Sequence, residues 1–132
     1  MLPWWPMRRR ALLPALAFAV MAVAPVGCLS PTLPLPPPEI STITQASEAG
    51  QWEISGDCSA GAIVTVLDER TGIGQVFEDL HQTGSFTVTI EGAQCDTVQV
   101  WEEDADQDLS SGNTYTLQPT LDGEPSNPML CQ

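Results

Sequence analysis

After residue 38, hydrophobic and polar residues alternate along most of the chain with a period of two. In the segment 85–91, Phe86, Val88 and Ile90 fall on one face, and Ser and Thr residues fall on the other. This alternation is typical of β-strands that bury one face. The pattern predicts an all-β sandwich of about seven strands and no helix in this part of the chain. The predicted strands are 39–45, 51–56, 62–68, 74–80, 85–91, 97–103 and 114–121.

The alternation also assigns side chains to the two faces of a strand, because neighbouring side chains point to opposite sides. Trp52 and Ile54 are expected in the core. Trp101 falls on the face opposite Val98 and Val100 and is therefore expected to be partly exposed. This position makes Trp101 the best candidate for a binding residue, because exposed apolar side chains mark interaction sites.

The position of each strand in its sheet follows from its apolar content. The segment 62–68 is apolar on both faces and is predicted to be central, whereas 74–80 is weaker and resembles an edge strand. In 114–121, Pro119 indicates an edge, since proline cannot donate to the sheet ladder. That last strand is expected to turn one face inward, with Tyr115, Leu117 and Leu121 on it.

The segment before residue 39 has a different composition. Arg8, Arg9 and Arg10 precede an apolar run over 11–26, which is the layout of a secretory signal. We therefore predict a signal peptide helix within 1–27, with Met7 as an alternative start. Five of the ten residues in 29–38 are proline, which predicts an extended stalk because proline-rich linkers are stiff.

The end of the apolar run, Gly27-Cys28, resembles the lipobox of bacterial lipoproteins. The resemblance implies cleavage before Cys28 and attachment of lipid to its thiol, so that 28–38 is a lipidated cysteine followed by the stalk. It also implies an exported protein anchored to a bacterial membrane. Leu29, where aspartate would retain a lipoprotein at the inner membrane, favours the outer membrane or cell surface. The alternative is an ordinary signal peptide cut after 22–24.

The predicted strands also resemble bacterial immunoglobulin-like domains over residues 39–121. The matching pieces follow the order of that family's second, third, fifth and sixth strands: "ISG" (54–56), "AGAIVTV" (60–66), "TGSFTVTI" (83–90) and "VQVWEEDADQDLSSGN" (98–113). The resemblance implies an immunoglobulin-like β-sandwich followed by a C-terminal tail, 122–132. It implies no catalytic residues, since that family has none in common.

The charge of the chain excludes one class of partner. The formal net charge is −13, and removal of the signal peptide would leave Arg70 as the only strong cation against 17 acidic residues. Nucleic acid binding is therefore not expected, because it requires clustered Lys or Arg. Attraction to an anionic membrane by charge is not expected either.

The cysteines after Cys28 are odd in number: Cys58, Cys95 and Cys131. An exported chain favours disulfides. The predicted strand order brings the C-terminal tail back towards Cys95, which favours a Cys95–Cys131 bond. A Cys58–Cys95 bond is the alternative.

The densest acidic segment is "EEDADQDLSSG" (102–112). Asp104, Asp106, Asp108 and Ser110 occur at alternate positions, as oxygen ligands do in calcium loops. However, Leu109 stands where such a loop has glycine, and no acidic residue closes it. The segment is therefore either a calcium site or a solvated loop.

Together these features predict a non-enzymatic lipoprotein of the cell envelope or surface, with an acidic binding or structural domain. The expected partners are the membrane, through the lipid anchor, and a protein or glycan. No cofactor is expected other than calcium. Two alternatives remain: a calcium-stabilised adhesion module, and an accessory subunit of an envelope secretion or transport assembly.

Overall fold

Nine β-strands and no helix make up residues 33–132, the part of the chain that the computed structural model describes. The signal peptide, Cys28 and the start of the stalk lie outside these residues. No helix in the described part is long and apolar enough to span a membrane. The strands are β1 (Glu39–Gln45), β2 (Gln51–Asp57), β3 (Ile63–Asp68), β4 (Gly74–Glu78), β5 (Ser85–Glu91), β6 (Thr97–Glu103), β7 (Asn113–Thr116), β8 (Thr120–Leu121) and β9 (Glu124–Pro125).

The first seven strands form two antiparallel sheets. One sheet has three strands in the order β1-β2-β5, and the other has four in the order β4-β3-β6-β7. The prediction of an all-β sandwich is thus confirmed, with β3 central and β4 at an edge. The arrangement is compatible with an immunoglobulin-like sandwich, which also packs two antiparallel sheets face to face.

The core lies between the two sheets and follows the predicted alternation. Every second residue of β5 is buried, as is every second residue of β6. Trp52 is 2 % exposed, and its indole Nε1 donates to the carbonyl of Gly92 at 3.1 Å. Both sheets contribute to one continuous cluster, whose members are Ile40, Ile43, Trp52, Ile54, Val64, Val66, Phe86, Val88, Ile90, Val98, Val100 and Leu117.

The last predicted strand, 114–121, is wrong as a single strand. β7 ends at Thr116 and Leu117 is buried, but Leu121 is 68 % exposed rather than turned inward. Pro119 has no backbone N–H to continue the ladder. Its carbonyl accepts hydrogen bonds from the backbone N–H and Oγ of Ser126 at 2.8 and 2.6 Å. These bonds close the β8–β9 hairpin, which crosses the predicted boundary between the sandwich and the tail at residue 121.

The C-terminal segment beyond β7 is attached to the opposite sheet. The N–H of Gly123 donates to the carbonyl of Ser41 at 2.6 Å, and the N–H of Ile43 donates to Oγ1 of Thr120 at 2.6 Å. Gly123 has φ +77°, and a Cβ there would lie 2.5 Å from the carbonyl oxygen of Ile40. Only glycine fits this close approach without strain. The segment therefore holds β1, the strand that follows the stalk.

A disulfide completes this attachment. Cys95, between β5 and β6, is bonded to Cys131, with a Cα–Cα distance of 5.4 Å. This is the pairing that the sequence favours. Cys58, the partner in the alternative pairing, is a free thiol.

Four carboxylates are buried, which the charge pattern alone does not indicate: Asp68, Asp79, Asp96 and Glu102. Asp79 is the most completely bonded. It accepts from the N–H groups of Gly61, Thr83 and Gly84 and from the Thr83 hydroxyl, at 2.8–3.1 Å. These bonds, led by that from Gly84, lower the pKa of Asp79 to about 2. The carboxylate is therefore ionised at neutral pH and joins the β2–β3 and β4–β5 loops at one end of the sandwich.

Candidate functional site

The outer face of the four-stranded sheet carries an apolar row across three strands. Thr65 of β3 pairs in register with Val76 of β4 on one side and with Trp101 of β6 on the other. Directly paired side chains on one face lie about 5 Å apart at Cβ. Val76 is 64 % exposed, and Trp101 is partly exposed. The row therefore presents an aromatic and an aliphatic side chain to solvent on either side of a threonine.

Two further β3 residues extend the row into a patch. Ile63 and Leu67 flank Thr65 on the same face, and both are only partly buried. Gly74 is paired with Leu67 and has no side chain, so the Leu67 side chain approaches β4; a Cβ on Gly74 would lie 3.3 Å from Leu67 Cδ1. We call this set, Ile63, Thr65, Leu67, Val76 and Trp101, the apolar face.

The outer face of the three-stranded sheet is different. Its side chains are Ser, Thr, Gln, Glu and Asp, and the hydroxyls of Ser55 and Thr87 lie 3.1 Å apart across β2 and β5. Glu53 and Glu91 on this face are exposed. One side of the sandwich is thus fully polar, whereas the other has an apolar centre.

Trp101 lies where the sequence predicts, on the strand face opposite Val98 and Val100. Its role in binding stays a prediction. The alternation does not indicate that Ile63, Leu67 and Val76 are its neighbours. Their proximity depends on the register of β3 with β4 and β6, although the apolar character of both faces of 62–68 was a signal for it.

The acidic segment after β6 forms a tight loop, and its role as a calcium site stays a prediction. Oδ1 of Asp104 accepts the N–H groups of Asp106 and Asp108 at 2.9 and 3.0 Å, so this oxygen bonds to the loop's own backbone. The Ser110 hydroxyl accepts the N–H of Glu102 and donates to the Ser111 carbonyl. Within residues 33–132, no three His, Cys, Asp or Glu side chains are grouped so as to hold a metal ion. The predicted calcium site therefore gains no support from the geometry.

An open cleft of about 210 Å³ lies where the stalk meets the domain. Its lining includes Pro36, Pro37 and Pro38, and Pro38 is buried, so the stalk's last residue packs into the domain. Glu102 at this cleft is 1 % exposed and accepts from the N–H and Oγ of Ser59 at 3.0 and 2.5 Å. Both carboxylate oxygens of Glu102 are thereby occupied within the domain.

Cys58 also lines this cleft. Burial, and then the negative charges of Glu102, Asp79 and Asp57, raise the pKa of its thiol to about 11. At neutral pH the group is therefore a thiol, and it lacks the thiolate character that a nucleophilic cysteine requires. The last three prolines of the stalk thus line the cleft, and Cys58 offers no activated nucleophile there.

The single arginine of the described residues is also occupied. Nε and Nη2 of Arg70 donate to the two carboxylate oxygens of Asp96, each at 2.6 Å. These charge-assisted bonds are the main reason that the pKa of Asp96 falls to about 2. The pair closes the β3–β4 turn against the loop before β6 and leaves the acidic surface without a free guanidinium in this part of the chain.

Comparison with known proteins gives no match, whether to a protein family, a curated protein or a solved structure. Among the described residues, the apolar face is the feature whose geometry best fits an interaction site.

Proposed function

We propose that the chain is an exported lipoprotein of the bacterial envelope or surface, whose immunoglobulin-like domain binds a partner through the apolar face. The function is non-enzymatic. The observation that carries the binding role is the register of Val76, Thr65 and Trp101 across an exposed sheet face.

The exposure of contiguous apolar side chains on the apolar face supports a binding role. Exposed apolar side chains scattered singly are ordinary on soluble proteins, but a contiguous set rimmed by polar residues is typical of interaction sites. Tryptophan is also among the residues that contribute most to binding energy when a partner covers them. The polar face of the other sheet shows that the same fold can be covered with Ser, Thr and Glu.

The sequence before the domain supports a membrane anchor. A basic segment, an apolar run and Gly27-Cys28 precede a proline-rich stalk. Each buried methylene of an acyl chain contributes about 0.8 kcal/mol to membrane affinity, so two or more chains on Cys28 would make a durable anchor. The stalk would then hold the apolar face away from the lipid surface.

The binding role predicts that Val76 is covered in the native envelope. Val76→Cys and Thr89→Cys, each in a Cys58→Ser background, would be labelled with a maleimide in native membranes, in vesicles containing only the purified protein, and in neutral detergent. We expect Val76→Cys to react several-fold more slowly in native membranes than in the other two preparations. Thr89, on the exposed face of β5, is the matched control and should react equally in all three.

Two results would overturn the binding role. Equal labelling of Val76→Cys in all three preparations would show that nothing covers the face. Slow labelling in protein-only vesicles would show that lipid, or a second copy of the chain, covers it instead of a separate partner.

A further inference from the structure

The apolar face has an acidic border at one end. Ile63 is paired in register with Glu78 of β4 on one side and Glu103 of β6 on the other. Because neighbouring strands are about 4.8 Å apart, the backbone positions of Glu78 and Glu103 are roughly 10 Å apart across the sheet. A partner that covers Ile63 would lie between two negative charges.

The loop after β6 continues this border. Glu103 forms an isolated bridge with Leu109, so the residues between them project as a closed loop at the same end of the sheet. The N–H of Asp104 donates to the carbonyl of Asp108 at 3.1 Å, which fixes the loop's shape. Asp106 and Asp108 are exposed. The aspartates that suggested a calcium loop thus add solvent-facing charge beside the apolar face.

The rest of the domain does not neutralise this charge. All 17 acidic residues of the chain lie in residues 33–132, against the single Arg70, which is bonded to Asp96. Two copies of the chain meeting through this face would bring acidic borders together, and an anionic lipid surface would meet the same repulsion. Complementary potentials favour the opposite kind of occupant.

Building on the binding role proposed above, we propose that the occupant of the apolar face is a cationic protein surface that carries an apolar side chain. The apolar side chain packs on Trp101 and Val76. Lysine or arginine side chains around it lie against Glu78, Glu103 and the 104–108 loop. Apolar contact supplies affinity and the border supplies orientation and association rate, as in other charged interfaces.

Synthetic peptides of equal length test this chemistry: one of Lys and Leu, one of Lys and Ser, and one of Glu and Leu. Each carries a fluorescent label, and its anisotropy is measured with the full chain in neutral detergent at physiological salt. We expect only the Lys/Leu peptide to bind. Trp101→Ala should weaken that binding about tenfold or more.

A charge-matched pair of double variants keeps the test specific. Glu78→Gln with Glu103→Gln removes two carboxylates from the border, and Glu53→Gln with Glu91→Gln removes two from the polar face of the other sheet. We expect the Glu78/Glu103 double variant to weaken binding of the Lys/Leu peptide several-fold. The Glu53/Glu91 double variant should leave that binding nearly unchanged. This comparison holds even if Trp101→Ala fails to fold.

Three outcomes would overturn the proposal: equal weakening by both double variants, equal binding of the Lys/Ser peptide, or binding of the Glu/Leu peptide. If Val76→Cys is nevertheless protected in native membranes, the binding role stands and only the cationic partner is wrong.

Discussion

Replacing Cys131 with serine should lower the free energy of unfolding by about 4 kcal/mol, because the Cys95–Cys131 bond closes a loop with a sequence separation of 36 residues. Such a bond stabilises chiefly by restricting the unfolded chain. It also holds the C-terminal segment, whose β8–β9 hairpin contacts β1. A loss of this size is a large part of the total stability of a small domain, which is about 5–15 kcal/mol. Denaturant unfolding of the two proteins under non-reducing conditions measures it.

The matched control is Cys58→Ser, which removes the free thiol and leaves the disulfide intact. We expect it to cost less than about 1 kcal/mol, since Cys58 is only partly buried. If Cys131→Ser were as stable as Cys58→Ser, the disulfide would contribute little, and the C-terminal segment would be held by its hydrogen bonds alone.

The second large effect is expected at Trp52. Trp52→Ala should lower the free energy of unfolding by about 3–5 kcal/mol, because it removes a large buried side chain and leaves a cavity between the sheets. The indole also donates to the Gly92 carbonyl, and this bond joins β2 to the residue after β5. Trp52→Phe keeps most of the packing but not the bond, so it should cost about 1–2 kcal/mol.

Substitution of Trp101 by alanine is the comparison, because Trp101 lies on the outer face of the four-stranded sheet and Trp52 lies in the core. Trp101→Ala should cost about 1 kcal/mol or less, because its side chain lies on the partly exposed outer face. If the alanine variants of Trp52 and Trp101 were equally unstable, Trp101 would belong to the core and the apolar face would be a packing feature instead of a binding site.

The strands themselves were largely predictable, because the pattern that indicates a strand lies within the strand's own sequence. The bounds of β5 and β6 are those that the alternation predicts, since one buried face imposes a period of two whatever the partner strands are. The inward side chains of these strands, such as Val88 and Val100, followed from the same pattern.

The C-terminal region was predicted less well because its structure depends on distant partners. Nothing near Gly123 in the sequence indicates that its N–H will meet Ser41, or that a Cβ there would strike Ile40. Pro119 indicated an edge, and β7 is the edge strand of its sheet. The sequence did not indicate that the Pro119 carbonyl would close a turn with Ser126. Contacts of this kind appear only once the two sheets are stacked.

Of the residues in the candidate site, the sequence predicted only Trp101. The alternation placed Trp101 outward, but its apolar neighbours come from β3 and β4, and only the strand register brings them together. The aspartate spacing at 104–108 predicts a calcium site, and this stays a prediction. The spacing does not show that Oδ1 of Asp104 accepts the loop's own N–H groups.

The most direct test of the account is the mass of the N-terminal peptide of the mature protein isolated from bacterial membranes. We predict a peptide that begins at Cys28 and carries acyl chains, and we predict that Cys28→Ser moves the protein from the membrane fraction to the soluble fraction. A mature chain that begins elsewhere with an unmodified Cys28, or a Cys28→Ser protein that stays with the membranes, would contradict the proposed lipid anchor.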